Sequence, residues 1–177
     1  MTPLLADATE IEIVSGGDRW MKSWHPPGAT PPSGRRHGAA GICLVESGEV
    51  VIVSDDGTRW GFPGGRPEGD EDWEQTLRRE VSEEACAIVT GARLLGFTRG
   101  RCLQGSGAGV IRVRSIWLAR VRLQAWSPRF KIRHRRLVPF NRAVATVCND
   151  FPEYEPLWRR AFHEAGEKLR DPNAFVH

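Results

Sequence analysis

The chain has 177 residues, 40% hydrophobic and 27% charged, with a formal net charge of +3. That length suffices for one domain with a sizeable core, and the composition excludes the disordered and fibrous classes. No apolar run approaches the ~20 residues that span a bilayer, which excludes a helical membrane anchor.

Residues 1–10, MTPLLADATE, show no basic region followed by an apolar stretch, so no signal peptide is expected. Residues 11–24 read as a hairpin turning at Ser15-Gly16-Gly17-Asp18, and residues 25–36, rich in Pro and Gly, as an extended linker or ordered loop. HGAAGICLVE reads as a buried strand, with a turn at Ser47-Gly48 leading to a second strand, EVVIV, and another turn at Asp55-Asp56-Gly57. The loop WGFPGGRPEGDE then leads into a helix over about residues 71–85. Two strands follow, AIVTGARLLGFTRGR and GVIRVRSIWLARVRL, separated by Gln104-Gly105-Ser106-Gly107. The second alternates in part, Val110, Arg112 and Arg114 against Ile111, Val113 and Ser115. KIRHRRLVPF is predicted as a strand and residues 141–147 as a short helix. The last helix is expected over residues 155–170, with Pro156 in its first turn and Trp158, Phe162, Ala165 and Leu169 as its core stripe. Strands mixed with two long helices predict an α/β sandwich with a mixed sheet.

Charge is unevenly placed. Cys86 to Asn149 holds no Asp or Glu but twelve Arg and one Lys, whereas acidic residues crowd between Glu68 and Glu84. An acidic block followed by a basic one suits a site that holds cations beside an anionic ligand; a solvated basic surface explains many of the arginines equally well. The four cysteines, Cys43, Cys86, Cys102 and Cys148, form no CxxC pair or zinc spacing, and the chain reads as cytoplasmic with reduced thiols.

The informative stretch is GRPEGDEDWEQTLRREVSEEACA, residues 65–87. On a helix Glu80 and Glu84 lie one turn apart on the same side, Glu83 adjoins them, and Trp73 and Leu77 continue that side toward the core. Like charges so spaced destabilise a bare helix by roughly 0.2–0.5 kcal/mol per pair. Arg78 and Arg79 offer some relief, but clustered carboxylates also suit a hard divalent cation. A solvated acidic helix edge is the competing explanation.

The spacing resembles the box of the Nudix hydrolase family: Gly, five residues, Glu, seven residues, then Arg-Glu, an aliphatic residue, any residue, and Glu-Glu. Gly65, Glu71, Arg79, Glu80, Glu83 and Glu84 match it, with Val81 at the aliphatic position. The resemblance implies an α/β/α sandwich, with residues 1–37 as an N-terminal extension of hairpin and Pro/Gly-rich loop and residues 38–177 as the Nudix domain. It implies Mg²⁺, or Mn²⁺, held by Glu80, Glu83 and Glu84 with a carbonyl of Gly64 or Gly65, and Glu83 or Glu80 as general base. Glu71 and Arg79 would brace the loop against the helix, Arg66 would contact phosphate unless it only packs, and Glu68 would reach the site from the loop. The activity implied is hydrolysis of a diphosphate linkage in a nucleotide-like small molecule. Trp60, Trp117 and Trp126 are candidates for stacking a base, with core packing as the simpler role.

Two departures stand out. Cys86 replaces the Gly that follows the box helix; if that position is left-handed, Cys costs about 1–2 kcal/mol there. The downstream carboxylate of many members is also missing unless Asp150, Glu153 or Glu155 folds back. The Pro and Tyr that mark hydrolases of ADP-ribose and of dinucleoside polyphosphates do not occur at the matching places, which leaves the substrate open. Two alternatives remain: an RNA 5′-end or polyphosphate pyrophosphohydrolase using the arginine block, and a non-catalytic ligand-binding module of the same fold. The resemblance implies a small-molecule partner and no membrane, with a homodimer open to the fold. No aromatic–basic motif argues for nucleic acid.

Overall fold

The computed structural model describes residues 10–28 and 30–175. The expectation that MTPLLADATE carries no leader therefore falls, Glu10 apart, outside the described residues. No described helix is long and apolar enough to cross a membrane.

The chain builds one mixed sheet with helices on both faces. The strands are β1 (Glu10–Ser15), β2 (Asp18–His25), β3 (Arg35–Leu44), β4 (Val50–Ser54), β5 (Gly64–Gly65), β6 (Ala87–Gln104), β7 (Ile111–Leu123) and β8 (His134–Val138). They run in the order β1-β2-β6-β7-β3-β4-β8, with the short β5 paired to β3; β3 and β7 are parallel and every other pair is antiparallel. The hairpin forms where the sequence predicts it. Gly16 and Gly17 both take positive φ, 62° and 84°, the turn geometry that matches strand twist, and β2 then extends the sheet along β6.

Strand β3 shows how the two faces arise. Ala40, Ile42 and Leu44 point into one core, shared with α2 (Phe140–Val147) and α3 (Glu155–Leu169). Ala39 and Cys43 point into the other, under α1 (Trp73–Ala85). Gly41 lies on the α1 side, where a Cβ would stand 2.9 Å from Leu77 Cδ1, so its bareness lets the helix approach. Covered on both faces, β3 reads as a nearly continuous apolar run. Trp117, one of the candidate stacking residues, is part of the core beneath α1, its indole N–H donating to Ser115 Oγ at 2.8 Å.

The last helix corrects the expected stripe. Leu157, Ala161, Phe162 and Ala165 are buried, Trp158 lies at the flank against Phe62 with ring centroids 4.4 Å apart, and Leu169 is 39% exposed. Small Ala161 and Ala165 on the row of Leu157 let the helix sit close to the sheet, and a row led by two bulky aromatics could not do so.

Helix α1 begins with a capping box, Asp72 accepting from the Gln75 N–H while the Gln75 side chain accepts from the Asp72 N–H. It ends at Cys86 in the left-handed region, φ 46° and ψ 54°, the only described residue other than glycine with positive φ. Arg135 of β8 closes this end, donating from one nitrogen to the carbonyls of Ala85 at 2.8 Å and Cys86 at 3.1 Å, a cation at the negative pole of the helix. The side chain at Cys86 is thus strained while its carbonyl is well held. Cys86→Gly should therefore stabilise the protein by about 1 kcal/mol, the relief of strain exceeding the added chain entropy. Urea unfolding checks this; an unchanged or lower midpoint would show that the left-handed turn costs nothing.

Candidate active site

The site is assembled where β5 meets α1. Gly64 and Gly65 pair with Ala40 and Ala39 of β3, which presses the glycine loop against the later turns of the helix, where Glu80 and Glu84 lie. There is no room for side chains here. A Cβ on Gly65 would overlap the Glu80 carboxylate, and one on Gly38 would lie 2.5 Å from the Gly65 carbonyl oxygen and 3.2 Å from the Arg114 guanidinium. The glycines are needed for close approach, since none of these three has positive φ.

Arg79 organises the carboxylates. It grips Glu71 with two nitrogens, Nε at 2.7 Å and Nη2 at 3.1 Å, and Nη2 also donates to the Arg66 carbonyl at 2.7 Å. Its Nη1 donates to Glu80 at 3.1 Å and Glu83 at 3.2 Å, so both carboxylates converge on a single nitrogen. Glu71 further accepts from the Glu68 N–H and the Thr76 hydroxyl, and this set of donors holds its carboxyl down at about 2. Glu84 turns the other way and accepts from the Gly64 N–H at 3.0 Å. Glu68 keeps to the rim: its side chain is 72% exposed and only a loose 3.7 Å ion pair links it to Arg79.

Burial dominates the electrostatics of Glu80 and Glu84. Glu80 is 9% exposed, and loss of water raises its pKa against the pull of Arg79. Glu84 is pushed up to about 7, first by burial and then by the neighbouring Glu80, with the Gly64 N–H opposing. Burial thus works against the ionised form of both carboxylates, and a hard divalent cation with oxygen preference is a group that such a donor set fits. The carboxylates do not form a ready cage: among the described residues no three His, Cys, Asp or Glu side chains are grouped to hold a metal ion. Arg79 Nη1 and the Gly64 N–H hold the oxygens instead. Among the described residues no downstream carboxylate is grouped with them to hold a metal ion; Asp150 and Glu153 are exposed and Glu155 pairs with Arg159.

Two hollows flank the carboxylates. An open depression of about 340 Å³ is lined by Trp60, Phe62, Gly64, Glu84 and Lys131. A deeper cavity of about 560 Å³ lies between the β1–β2 hairpin, β6, β7 and α3, and Arg66 and Arg114 line the part nearest the loop. Trp60 and Arg66 thus stand on different sides of the site, while Trp126 lies away from both, beneath Arg135. The sequence reading missed Lys22, His37 and Tyr154 in the cavity wall. A signal for Lys22 was present: in a strand of period two it shares a face with Trp20 and Trp24.

The NUDIX domain family model matches residues 35–141, more than half the chain. The chain belongs to the Nudix hydrolase family. Its fold is similar to that of the Bacillus subtilis pyrophosphohydrolase BsRppH, at 19% identity and TM-score 0.66, covering 88% of this chain and 96% of that one. A Nudix hydrolase from Nitrosomonas europaea aligns at 17% identity and TM-score 0.57, over 76% and 90% of the two chains. A MutT structure, from work on the Aliivibrio salmonicida and Vibrio cholerae proteins, aligns at 23% identity and TM-score 0.51, over 73% and 99%. No curated protein matches the sequence. Enzymes of this Nudix family hydrolyse pyrophosphate bonds and generally use divalent metal ions. The matched segment contains the box, and the hairpin and α3, which wall the larger cavity, lie outside it.

The raised pKa of Glu84 sets a pH dependence. A folded-state value above the unfolded one favours folding at low pH, and that contribution is lost as pH rises through the folded value. The metal-free protein should therefore lose stability between about pH 4.5 and 7 relative to Glu84→Gln, which has no carboxylate to ionise. Thermal unfolding of both proteins in chelator across that range checks this; parallel curves would show that Glu84 ionises as freely as in water.

Proposed function

We propose that this Nudix chain cleaves a diphosphate linkage in a nucleotide-like substrate, using Mg²⁺ held by Glu80, Glu83 and Glu84 together with a carbonyl of Gly64 or Gly65. What carries the reading is the pair of sheltered carboxylates, Glu80 and Glu84, whose pKa values burial raises beside a glycine loop with no side chains in the way. When bound, the ion would screen phosphate charge and make an attacking water more acidic.

The chain's own residues do the rest. Glu71 and Arg79 brace the loop on the helix, and Arg79 holds Glu80 and Glu83 within reach of one point. To hold the ion, Glu80 and Glu83 would have to release Arg79 Nη1, while the Arg79 contacts to Glu71 and the Arg66 carbonyl would keep the loop in place. Glu83 and Glu80 are the candidates to accept the proton of the attacking water, since residues 86–149 contain no Asp or Glu. Arg66 would contact phosphate on the cavity side and Trp60 the base on the other, with Glu68 at the rim. A cytoplasmic setting is part of the proposal, supported by four free cysteines, three of them buried.

Hydrolysis assays over nucleoside triphosphates, nucleotide sugars, ADP-ribose and dinucleoside polyphosphates test the proposal. We expect turnover that needs Mg²⁺ or Mn²⁺ and falls about 100-fold or more in Glu80→Gln and Glu84→Gln. Turnover that survives both substitutions would place the metal site elsewhere. Arg79→Lys keeps the charge but loses the two-nitrogen grip on Glu71, and is expected to lower both activity and the unfolding midpoint.

A further inference from the structure

We infer that the larger cavity receives a chain of phosphates, so that the substrate carries three or more phosphate groups rather than a diphosphate joined to a neutral sugar. This rests on the hydrolase reading for the bond that is cut, and on separate observations for what fills the cavity.

The first observation is a concentration of positive charge, eased only in part by the pull of Glu80 and Glu84 on Arg114. Lys22, Arg66, Arg112 and Arg114 all line the cavity, and among the described residues none of them forms an ion pair with a carboxylate. Asp18, the acid in the lining, is occupied by the Ser106 N–H and hydroxyl. Four cations gathered in a partly sheltered space repel one another. Burial and the nearby Arg114 and Arg112 hold the Lys22 ammonium down at about 8, and His37 beside them is driven to about 4. A concentration of positive charge on this scale is matched by a polyanion and poorly matched by a sugar.

The second observation is alignment. Across the sheet, Lys22 of β2 pairs with Gly100 of β6, which pairs with Arg112 of β7; in the next row Trp24 pairs with Thr98 and Thr98 with Arg114. Arg114 pairs in turn with Gly38 of β3, whose missing side chain lets the guanidinium reach the Gly65 loop. Cations therefore run without a break from the box carboxylates to the hairpin. Arg66 joins the two ends, its carbonyl bound to Arg79 and its side chain in the cavity.

The third observation counts against a base in this space. The aromatic rings of the cavity are already engaged: Arg112 lies over Trp20 at 4.6 Å, Lys22 over Tyr154 at 4.9 Å, and Trp158 packs on Phe62. The Trp24 ring lies against Gly96, where a Cβ would come within 2.5 Å of it. These rings hold cations and close the walls instead of standing free to stack a base, which favours phosphate as the group the cavity binds.

Titration calorimetry of the full chain, free of Mg²⁺, tests this with inorganic tripolyphosphate, pyrophosphate, a nucleoside triphosphate, an RNA oligonucleotide with a 5′-triphosphate, and ADP-ribose. We expect the triphosphate-bearing ligands to bind tighter than pyrophosphate and ADP-ribose. Lys22→Gln and Arg112→Gln should each weaken them about tenfold or more, and Lys22→Arg should retain binding. Arg122→Gln, an exposed arginine on the same strand β7 but outside the cavity, should change nothing. The ranking among the three triphosphate ligands identifies which source of the shared chemistry the cavity prefers. Circular dichroism confirms that each variant is folded, and Arg112→Gln carries the test if Lys22→Gln does not fold. Equal binding of ADP-ribose and tripolyphosphate, or equal losses in Arg122→Gln and the cavity variants, overturns the assignment. Lys22-dependent tripolyphosphate binding by a chain that hydrolyses nothing would keep it and remove the hydrolase reading. Hydrolysis of diphosphate-linked compounds with no effect of Lys22 or Arg112 would do the reverse.

Discussion

The guanidinium of Arg79 ties three parts of the chain into one object. It fixes Glu71 at the head of the helix, the Arg66 carbonyl at the end of the glycine loop, and Glu80 and Glu83 on the helix face, all from one rigid planar group. Those acidic side chains could not otherwise be held so close in a half-buried place, because their mutual repulsion and lost hydration oppose it. The loop, in turn, lies flat on β3 only because Gly64 and Gly65 have no side chains to collide with Ala40 and Glu80. Charge and shape thus depend on each other: the arginine needs the tight loop to reach its carbonyl, and the loop needs the arginine to stay down.

Glu84 stands apart from this knot, and the difference has consequences. Its partner is a backbone N–H rather than a cation, and burial leaves it close to half-protonated near neutrality. A site with one carboxylate so poised and two more shared on a single nitrogen is balanced between proton, arginine and metal ion. A divalent cation held there, as proposed, would shift that balance toward ionised carboxylates and so couple metal affinity to pH.

Much of this was legible in the sequence, and the limits have physical causes. The box was readable because its chemistry is local: Glu71, Arg79, Glu80, Glu83 and Glu84 lie within four turns of one helix and its lead-in, where spacing fixes which side chains meet. The hairpin was readable from paired glycines. By contrast, the stripe of α3 was misjudged because helical spacing ranks Trp158 and Leu157 alike, and only the sheet decides that Ala161 and Ala165 must face inward. The cavity was hidden for the same reason. Lys22, Arg112 and Arg114 come from two strands far apart in sequence, and only the order β2-β6-β7 brings them side by side. Cys86 illustrates a middle case, in which the sequence showed an unusual residue and the backbone showed that it keeps the left-handed turn.

The central claim is that Glu80, Glu83 and Glu84 take hold of a divalent cation at the mouth of a cationic cavity. Anomalous diffraction from crystals soaked in Mn²⁺ with a nonhydrolysable triphosphate analogue addresses it directly. The account expects manganese peaks within coordination distance of those carboxylates and a phosphate chain running past Arg114 toward Lys22. Manganese bound elsewhere, with Arg79 still bridging Glu80 and Glu83, would contradict it.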